Sequence, residues 1–295
     1  MIELRACEND ADYEAWVGVR RAVLPTERSP TLDELYTYIQ PGDLHVLAFL
    51  DGELAGSGLA NRSDIAGRAH VAPRVLPERR CKGVGSALLN RLAEHAVAQG
   101  YGRAGSNVAG ADEPSVAFAG KFGFEEQRRD VQQVRVLQGD VPPPRDVEGV
   151  KFVSIAERPQ LLREAYPLAL QGYEDMPIDG LDISLHTWLT EEATLPAGSF
   201  VALADDEIVG YAGLMRWPDE PTKAEHALTV VRRDWRGRGL AAALKERQAA
   251  WAVANGLREL VTWTQTGNEN MQAVNTRLGY VLGSFSIAFA RDLPL

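Results

Sequence analysis

The sequence predicts an α/β protein made of two tandem copies of one domain, each with a mixed, mostly antiparallel sheet flanked by helices. Its length of 295 residues exceeds that of a typical single domain. The stretch 75–92 aligns without a gap with the stretch 231–248, an offset of 156 residues. Self-similarity at a fixed offset is the signature of a duplicated structural unit.

Two further glycine pairs outside this stretch keep the same offset. A second match, between 51–59 and 205–214, has a slightly different offset; in each copy two apolar runs joined by a turn predict a β-hairpin. The residues paired by the offset of 156 are Arg80 with Arg236, Gly83 with Gly239, Gly85 with Ala241, Leu88 with Leu244, Gly100 with Gly256 and Gly123 with Gly279.

Each copy has the same predicted order of elements: a strand, one or two helices, a hairpin, a strand, a glycine motif opening a helix, a strand, a short helix and a closing strand. In the second copy these are 151–156, helices near 159–173 and 183–193, 199–217, 224–231, a helix from about 239, 259–264, a helix from about 268, and 279–290. The predicted packing side of the helix from 239 comprises Leu240, Ala243, Leu244, Arg247, Trp251 and Ala254.

Three successive prolines, 142–144, exclude helix and central strand and indicate a short, stiff linker. We therefore expect a first domain at 1–138, a linker at 139–149 and a second domain at 150–295. The first domain is expected to be degenerate or accessory, and the second catalytic.

Composition narrows the possible partners. No apolar run approaches the ~20 residues needed to cross a bilayer, and the N-terminus lacks the pattern of a signal peptide. Only Cys7 and Cys81 are present, without metal-ligand spacing, and the formal charge of -10 argues against binding to nucleic acid. We expect a cytoplasmic protein with no metal, membrane or nucleic-acid partner, and the sequence leaves its oligomeric state open.

The glycine motif lies between an apolar strand and an amphipathic helix in both copies. Small residues allow the backbone to approach a ligand, and the first amides of a helix lack internal partners at the positive end of the dipole. A pyrophosphate would satisfy both features. The neighbouring cations are Arg79, Arg80 and Lys82 in the first copy, and Arg232, Arg233, Arg236 and Arg238 in the second.

The chain resembles the GNAT superfamily of acyl-CoA N-acyltransferases. The resemblance rests on the Arg/Gln-x-x-Gly-x-Gly/Ala signature at Arg80 and Arg236 and on the later Lys121–Phe124 and Arg277–Tyr280 motifs. It covers nearly the whole chain, in an architecture like that of tandem members such as mycothiol synthase. It implies acetyl-CoA as co-substrate, bound through Val230, Val231, Arg236, Gly237, Arg238, Gly239, Leu240, Ala241, Asn268 and Asn275 in the second copy, with Arg80, Gly83 and Gly85 as their counterparts in the first.

The resemblance also implies a glutamate base on the strand before the motif, which corresponds to Glu225. An amine arrives as an ammonium with a pKa near ~10 and must lose a proton before it attacks. His226 is the adjacent alternative, but successive strand residues point to opposite faces, so only one of the two should face the cleft. The first copy has Ala69 and His70 at these places.

The family often supplies a tyrosine that protonates the departing thiolate, whereas this chain has Ala119 and Asn275 at the aligned positions. Asn275 is therefore either a CoA ligand or a capping or packing residue. Tyr211 and Tyr280 are alternative proton donors, although each also fits a core position.

The segment before the second hairpin is a candidate amine pocket. Tyr173, Glu174, Asp175 and Trp188 combine aromatic surface with carboxylates, as a cationic substrate requires; the alternative is a solvated loop with helix-capping aspartates. We expect acetyl transfer from acetyl-CoA to a primary amine of a small molecule. A non-catalytic acyl-CoA-binding module and an acetyltransferase for protein N-termini or lysines are the alternatives.

Overall fold

A computed structural model describes residues 1–139 and 141–295, which form two compact units. Unit 1 comprises Met1–Arg129 and Ser284–Leu295, and unit 2 comprises Asp130–Gly283. The units therefore differ from the sequence repeats, because each takes its closing strand from the other repeat. The predicted linker at 139–149 marks where one repeat follows the other in the chain, and Asp140 within it lies outside the described residues.

Unit 1 contains a mixed sheet in the order β1-β2-β3-β4-β5-β12. Only β4 and β5 pair in parallel, and residues 286–292 of β12 pair antiparallel with β5. The elements are β1 Ile2–Ala6, α1 Asp10–Val23, α2 Leu32–Tyr38, β2 Leu44–Leu50, β3 Glu53–Arg62, β4 Ala69–Val75, α3 Val84–Ala98, β5 Arg103–Ala109, α4 Glu113–Lys121 and the end of β12 Val281–Asp292.

Unit 2 repeats this arrangement in the order β6-β11-β10-β9-β8-β7. Among its described residues β10 pairs with β11 in parallel, and residues 130–136 of β6 pair antiparallel with β11. The elements are β6 Glu125–Val136, β7 Lys151–Ser154, α5 Gln160–Glu164, α6 Tyr166–Glu174, α7 Leu185–Glu191, β8 Phe200–Ala204, β9 Glu207–Arg216, β10 Lys223–Val231, α8 Leu240–Ala254, β11 Glu259–Gln265 and α9 Glu269–Arg277.

The two predicted hairpins are confirmed as β2–β3 and β8–β9. Each turns through two residues with positive φ, Asp51 and Gly52 in one hairpin and Asp205 and Asp206 in the other. Such left-handed pairs match the right-handed twist of the strands that they join.

Helices cover both faces of the unit 2 sheet. Leu240 and Leu244 of α8 pack on one face against β8 and β9. On the other face, Trp188 of α7 and Leu168 of α6 pack with Tyr211 and Val230. The predicted mixed α/β fold is thus confirmed in both units, and none of the helices described is long and apolar enough to span a bilayer.

The packing side predicted for α8 is partly wrong. Lys245, Gln248, Ala249 and Ala252 are buried, whereas Ala254 is exposed. Gln248 enters the core because it bonds there to the His226 ring and to the carbonyl oxygen of Gly213, and Lys245 places its Nζ 5.3 Å from the centroid of the Tyr280 ring. Apolar periodicity alone reveals neither contact.

Candidate active site

A tight turn joins β10 to α8 in unit 2. Arg236 is extended, Gly237 and Gly239 have φ of 78° and 81°, and Leu240 begins the helix. Glycine adopts these left-handed conformations without the steric cost that a Cβ would add. Since no side chain caps α8, its first amides remain available at the positive end of the helix dipole.

The arginines beside this turn are held by carboxylates at the end of α6. Arg236 pairs with Asp175, and Arg233 Nη2 donates to Asp175 Oδ1 at 2.8 Å and to Glu174 Oε2 at 3.1 Å. These hydrogen bonds lower the pKa of Asp175. Arg236 Nε also donates to the carbonyl oxygen of Val231 at 3.0 Å, which ties the turn to the end of β10.

Strand β10 separates from β11 halfway along its length. The parallel pairing joins 223–225 to 259–261 and does not continue in the residues described beyond Glu225. On its other side, the register of β10 with β9 shifts between His226 and Thr229, which marks a β-bulge. The bulge and the separation together open a gap in the sheet, close to the glycine turn.

Glu225 and His226 lie on opposite faces of β10. The His226 ring is buried toward α8, with Nδ1 at 2.9 Å from Gln248 Oε1 and Nε2 bonded to the Tyr280 hydroxyl. Burial lowers the pKa of His226 well below its usual value, so its ring is neutral at pH 7. Alternation therefore directs the partly buried Glu225 to the face that carries α5–α7.

A second carboxyl group reaches the bulge from α7. Glu192 Oε1 accepts a hydrogen bond from the backbone N–H of Leu228 at 2.6 Å. Burial raises the pKa of Glu192 to about 8. A Cβ at Gly213 would lie 2.7 Å from both Glu192 Oε1 and the Tyr211 hydroxyl oxygen, so glycine at this position leaves room for both groups.

The Tyr211 hydroxyl group is buried and has no hydrogen-bond partner among the described residues, and the same holds for Thr229 Oγ1. Buried polar groups are normally paired, so unpaired ones near a gap indicate where a bound ligand would supply hydrogen bonds.

A buried polar cluster supports β10 from the α8 side. Gln248 Nε2 donates to the carbonyl oxygen of Gly213 at 2.8 Å, and its Oε1 bonds to His226. Lys245 Nζ lies 5.3 Å from the centroid of the Tyr280 ring. Desolvation lowers the pKa of Lys245 to about 7.

Within residues 1–139 and 141–295, no group of three or more His, Cys, Asp or Glu side chains could hold a metal ion.

Comparison with known families identifies this architecture. The Acetyltransferase (GNAT) family model matches residues 12–124 and again residues 161–280. The chain belongs to the GNAT family. It is a tandem, two-domain member, and as such it belongs among the acyl-CoA-dependent acyltransferases.

Solved GNAT structures resemble the whole chain. A tandem GNAT protein from the clavulanic acid biosynthesis pathway has 18% identity and a TM-score of 0.78 over 100% of both chains. A GCN5-related N-acetyltransferase from Sphaerobacter thermophilus has 19% identity and a TM-score of 0.77, covering 99% of this chain and 95% of that one. At such identities the likeness shows the fold alone. No curated protein matched the sequence.

The residues predicted to bind CoA occupy two regions of this GNAT fold. Val230 and Val231 end β10, and residues 236–241 form the turn and the start of α8. Asn268 precedes α9 without capping it. Asn275 is fully buried, and its Nδ2 donates to Gln133 Oε1 at 2.9 Å, while its Oδ1 has no partner among the described residues. The local contacts of Asn275 are those of a packing residue, and its contact with CoA stays a prediction.

The four predicted substrate residues have two kinds of contact. Trp188 is 1% exposed, and its Nε1 donates to the carbonyl oxygen of Leu162 at 2.6 Å, so it belongs to the core. Tyr173 packs at the edge of the same core. Glu174 and Asp175 instead hold the arginines of the turn. Their predicted role as an amine pocket stays a prediction that these contacts do not support.

Unit 1 repeats the turn but not the rest of the site. Gly83 has a φ of 86° and precedes α3, as Gly239 precedes α8. The guanidinium of Arg80 is engaged by both carboxylate oxygens of Asp112, at 3.0 and 2.8 Å. The pairing of β4 with β3 has no register shift, and Ala69 stands where unit 2 has Glu225.

No pattern in the sequence indicates that the carboxyl group of Glu192 lies beside β10. It ends a short helix far from the motif along the chain, and only tertiary packing brings its carboxyl group to the bulge of β10. Tyr211 was identified as a candidate donor, but the hydrogen-bonding state of its hydroxyl group could not be read from the residue type.

Proposed function

We propose that unit 2 transfers an acetyl group from acetyl-CoA to a primary amine of a small molecule, with Glu225 as the general base. The observation that carries this proposal is that Glu225 is the last residue of β10 that pairs with β11, one residue before the bulge that begins after His226. The glycine turn follows on the same strand, so a base and a phosphate site flank one opening.

In this mechanism the amides of the turn and the free arginine donors bind the pyrophosphate, and the end of β10 orients the pantetheine arm. Glu225 takes a proton from the ammonium, directly or through water. The neutral nitrogen attacks the thioester carbon, the C–N bond forms and the C–S bond breaks, and the attacking nitrogen releases its second proton to water or to the departing thiolate. The thiolate, with a pKa near ~8.5, leaves without obligatory protonation.

Tyr211 is the better of the two predicted tyrosine donors for this step. The Tyr280 hydroxyl group is already bonded to His226, whereas the Tyr211 hydroxyl group has no partner among the described residues. Tyr211 would donate a hydrogen bond to the developing negative charge on sulfur or on the carbonyl oxygen.

The Glu225→Gln variant tests the assignment of the base. We expect acetyl transfer to fall by roughly 10²–10⁴-fold while CoA still binds, because the amide keeps the shape but cannot accept the proton. Glu94→Gln, which makes the same change on an exposed face of α3, should keep full activity. Full activity of Glu225→Gln at neutral pH would refute the assignment.

The two alternatives are separated by the choice of acceptor. Incubation with acetyl-CoA and a panel of small amines should release free thiol, whereas binding without thiol release from any acceptor would favour a non-catalytic module. Faster transfer to peptides with a free N-terminus or lysine than to small amines would favour a protein acetyltransferase.

A location in the reducing cytoplasm is also part of this proposal, and it is compatible with Cys7 and Cys81, which are free thiols.

A further inference from the structure

Unit 1 contains a cavity of about 250 Å³ between β4 and β5. These strands pair in parallel only at Ala69 and His70, so the sheet opens beyond that point. From the two strands, His70, Ala72, Arg74, Ser106, Asn107 and Val108 face the cavity. The other walls come from the end of α1, from α3 and from α4.

Arg74 is the unusual member of this lining. The residue is only 7% exposed, and its Nη1 is buried without a hydrogen-bond partner among the described residues. Its guanidinium carbon lies 5.1 Å from the centroid of the Trp16 ring. Burial lowers the pKa of Arg74 to about 9, yet it remains a cation at pH 7. A buried charge is costly unless it is paired, and Arg74 forms no ion pair among the described residues, although the charge of Glu27 raises its pKa.

The carboxylates around the cavity are already shared with other arginines. Glu27 lies 3.6 Å from Arg20, and Asp112 lies 2.8 Å from Arg80. Burial lowers the pKa of His70 to about 4, so its ring is neutral at pH 7. Because Glu27 pairs with Arg20 and Asp112 pairs with Arg80, the positive charge of Arg74 has no carboxylate paired with it at the cavity.

The strand that lines the cavity of unit 1 differs in sequence and in pairing from the corresponding strand of unit 2. Pro73 occupies the place of Thr229 and has no N–H to donate, Arg74 replaces the apolar Val230, and β4 lacks the bulge. The cavity of unit 1 therefore presents a buried cation where unit 2 presents strand backbone and a base.

We propose that the cavity of unit 1 binds a small monocarboxylate with an apolar body, whose carboxylate group pairs with Arg74. A planar guanidinium binds a carboxylate through two parallel hydrogen bonds. The single unpaired charge matches a monoanion, and Leu24, Leu89, Val108 and Phe118 supply apolar walls. An engineered cavity of ~150 Å³ holds benzene, so this larger one has room for a ring and a carboxylate.

The test is a titration of the full-length chain with monocarboxylates from butyrate to phenylacetate, including benzoate, followed by calorimetry and by the melting temperature. We expect saturable binding of at least one acid. The neutral amide of that acid, such as benzamide for benzoate, should bind at least tenfold more weakly. Binding of amide and acid with equal affinity, or of no acid in the series, would overturn the proposal.

Substitution at Arg74 locates the site. Arg74→Met should remove carboxylate binding by tenfold or more, and Arg91→Met, an exposed arginine of α3, should leave it unchanged. If Arg74→Met does not fold, Arg74→Lys serves instead: it keeps the charge but not the paired donors and should weaken binding severalfold.

Inorganic phosphate and CoA are the competing probes. Displacement of the acid by either, or loss of a second CoA per chain in Arg74→Met, would mean that the cavity takes phosphate or acyl-CoA and would refute a carboxylate site. Acetyl transfer by unit 2 should not change in Arg74→Met, so this result is independent of the assignment of Glu225.

Discussion

Glu192 is partly buried and Lys245 is buried, and the pKa of each in the folded state differs from that in the unfolded chain. The pKa of Glu192 is raised from 4.5 to about 8, and that of Lys245 is lowered from 10.5 to about 7. The folded state thus favours a neutral form of each group. Because protons are gained or lost on unfolding, both residues make stability depend on pH, with opposite signs.

Between pH 4.5 and 8 the folded state binds more protons at Glu192 than the unfolded state, so this residue makes stability fall as pH rises. We predict that Glu192→Gln, which can still accept from Leu228, removes this decline. The variant should gain stability relative to wild type by up to about 1.4 kcal/mol per pH unit across that window. Urea unfolding at pH 5, 6, 7 and 8 measures the difference, and parallel profiles would contradict the raised pKa.

Lys245 provides the opposite control. Between pH 7 and 10.5 the unfolded state binds more protons at this residue, so its contribution makes stability rise with pH. Lys245→Met should flatten the profile above pH 7 and leave the decline due to Glu192 in place.

Asp175 pairs with Arg233 and Arg236, and in the proposed site Arg236 would bind the CoA pyrophosphate. We predict that Asp175→Asn tightens CoA binding by roughly twofold to tenfold, because exposed ion pairs contribute only modest free energies. Calorimetric titration with CoA measures the change, which should shrink at high salt. Asp146→Asn, which removes an exposed partner of Arg247 away from the turn, is the matched control. An unchanged or weaker affinity in Asp175→Asn would show that this carboxylate does not compete.

The sequence located the turn and the position of Glu225 because both lie in one contiguous motif. The sequence does not show that Asp175 pairs with Arg233, because the two residues are 58 positions apart in the chain. An acidic cluster beside aromatic residues has the composition of an amine pocket whether its carboxylates face a substrate or a cation of the protein itself. Only tertiary packing separates these cases.

At the scale of elements, the turn between β10 and α8 depends on glycines with left-handed backbone. We predict that Gly239→Ala lowers the free energy of unfolding by about 1–2 kcal/mol and weakens CoA binding, because an alanine at a φ of 81° is strained although no atom lies within 4 Å of its Cβ. Chemical denaturation and CoA titration measure the two effects.

Gly83→Ala is the matched variant in unit 1, where φ is 86° and the new Cβ would lie 3.3 Å from Ile2 Cδ1. It should cost similar stability while leaving acetyl transfer intact. Loss of transfer in Gly83→Ala but not in Gly239→Ala would assign the chemistry to unit 1.

At the scale of the whole molecule, repetition in the sequence and compactness in space do not coincide. The repeat indicated a division near the prolines, yet unit 2 begins at Asp130 and ends at Gly283. Leu137 packs in the core of unit 2 with Tyr280 and Leu260, although it lies in the first predicted domain. Periodicity and turn signals identify a closing strand but not which sheet it joins, because any open strand edge offers the same backbone donors and acceptors.

This division leads to a prediction about fragments. The fragment 130–283 contains every strand of unit 2 assigned by the compact division, including residues 130–136 that pair with β11. The fragment 150–295 lacks that strand and Leu137, so β11 would present an open edge and part of the core would be exposed. We expect 130–283 to unfold cooperatively as a soluble fragment and 150–295 to aggregate or to lack a cooperative transition. Circular dichroism melts and size-exclusion chromatography of the two fragments test this expectation. A folded, monomeric fragment 150–295 would show that the strand 130–136 is dispensable. The predicted boundary at 139–149 would then also be a folding boundary.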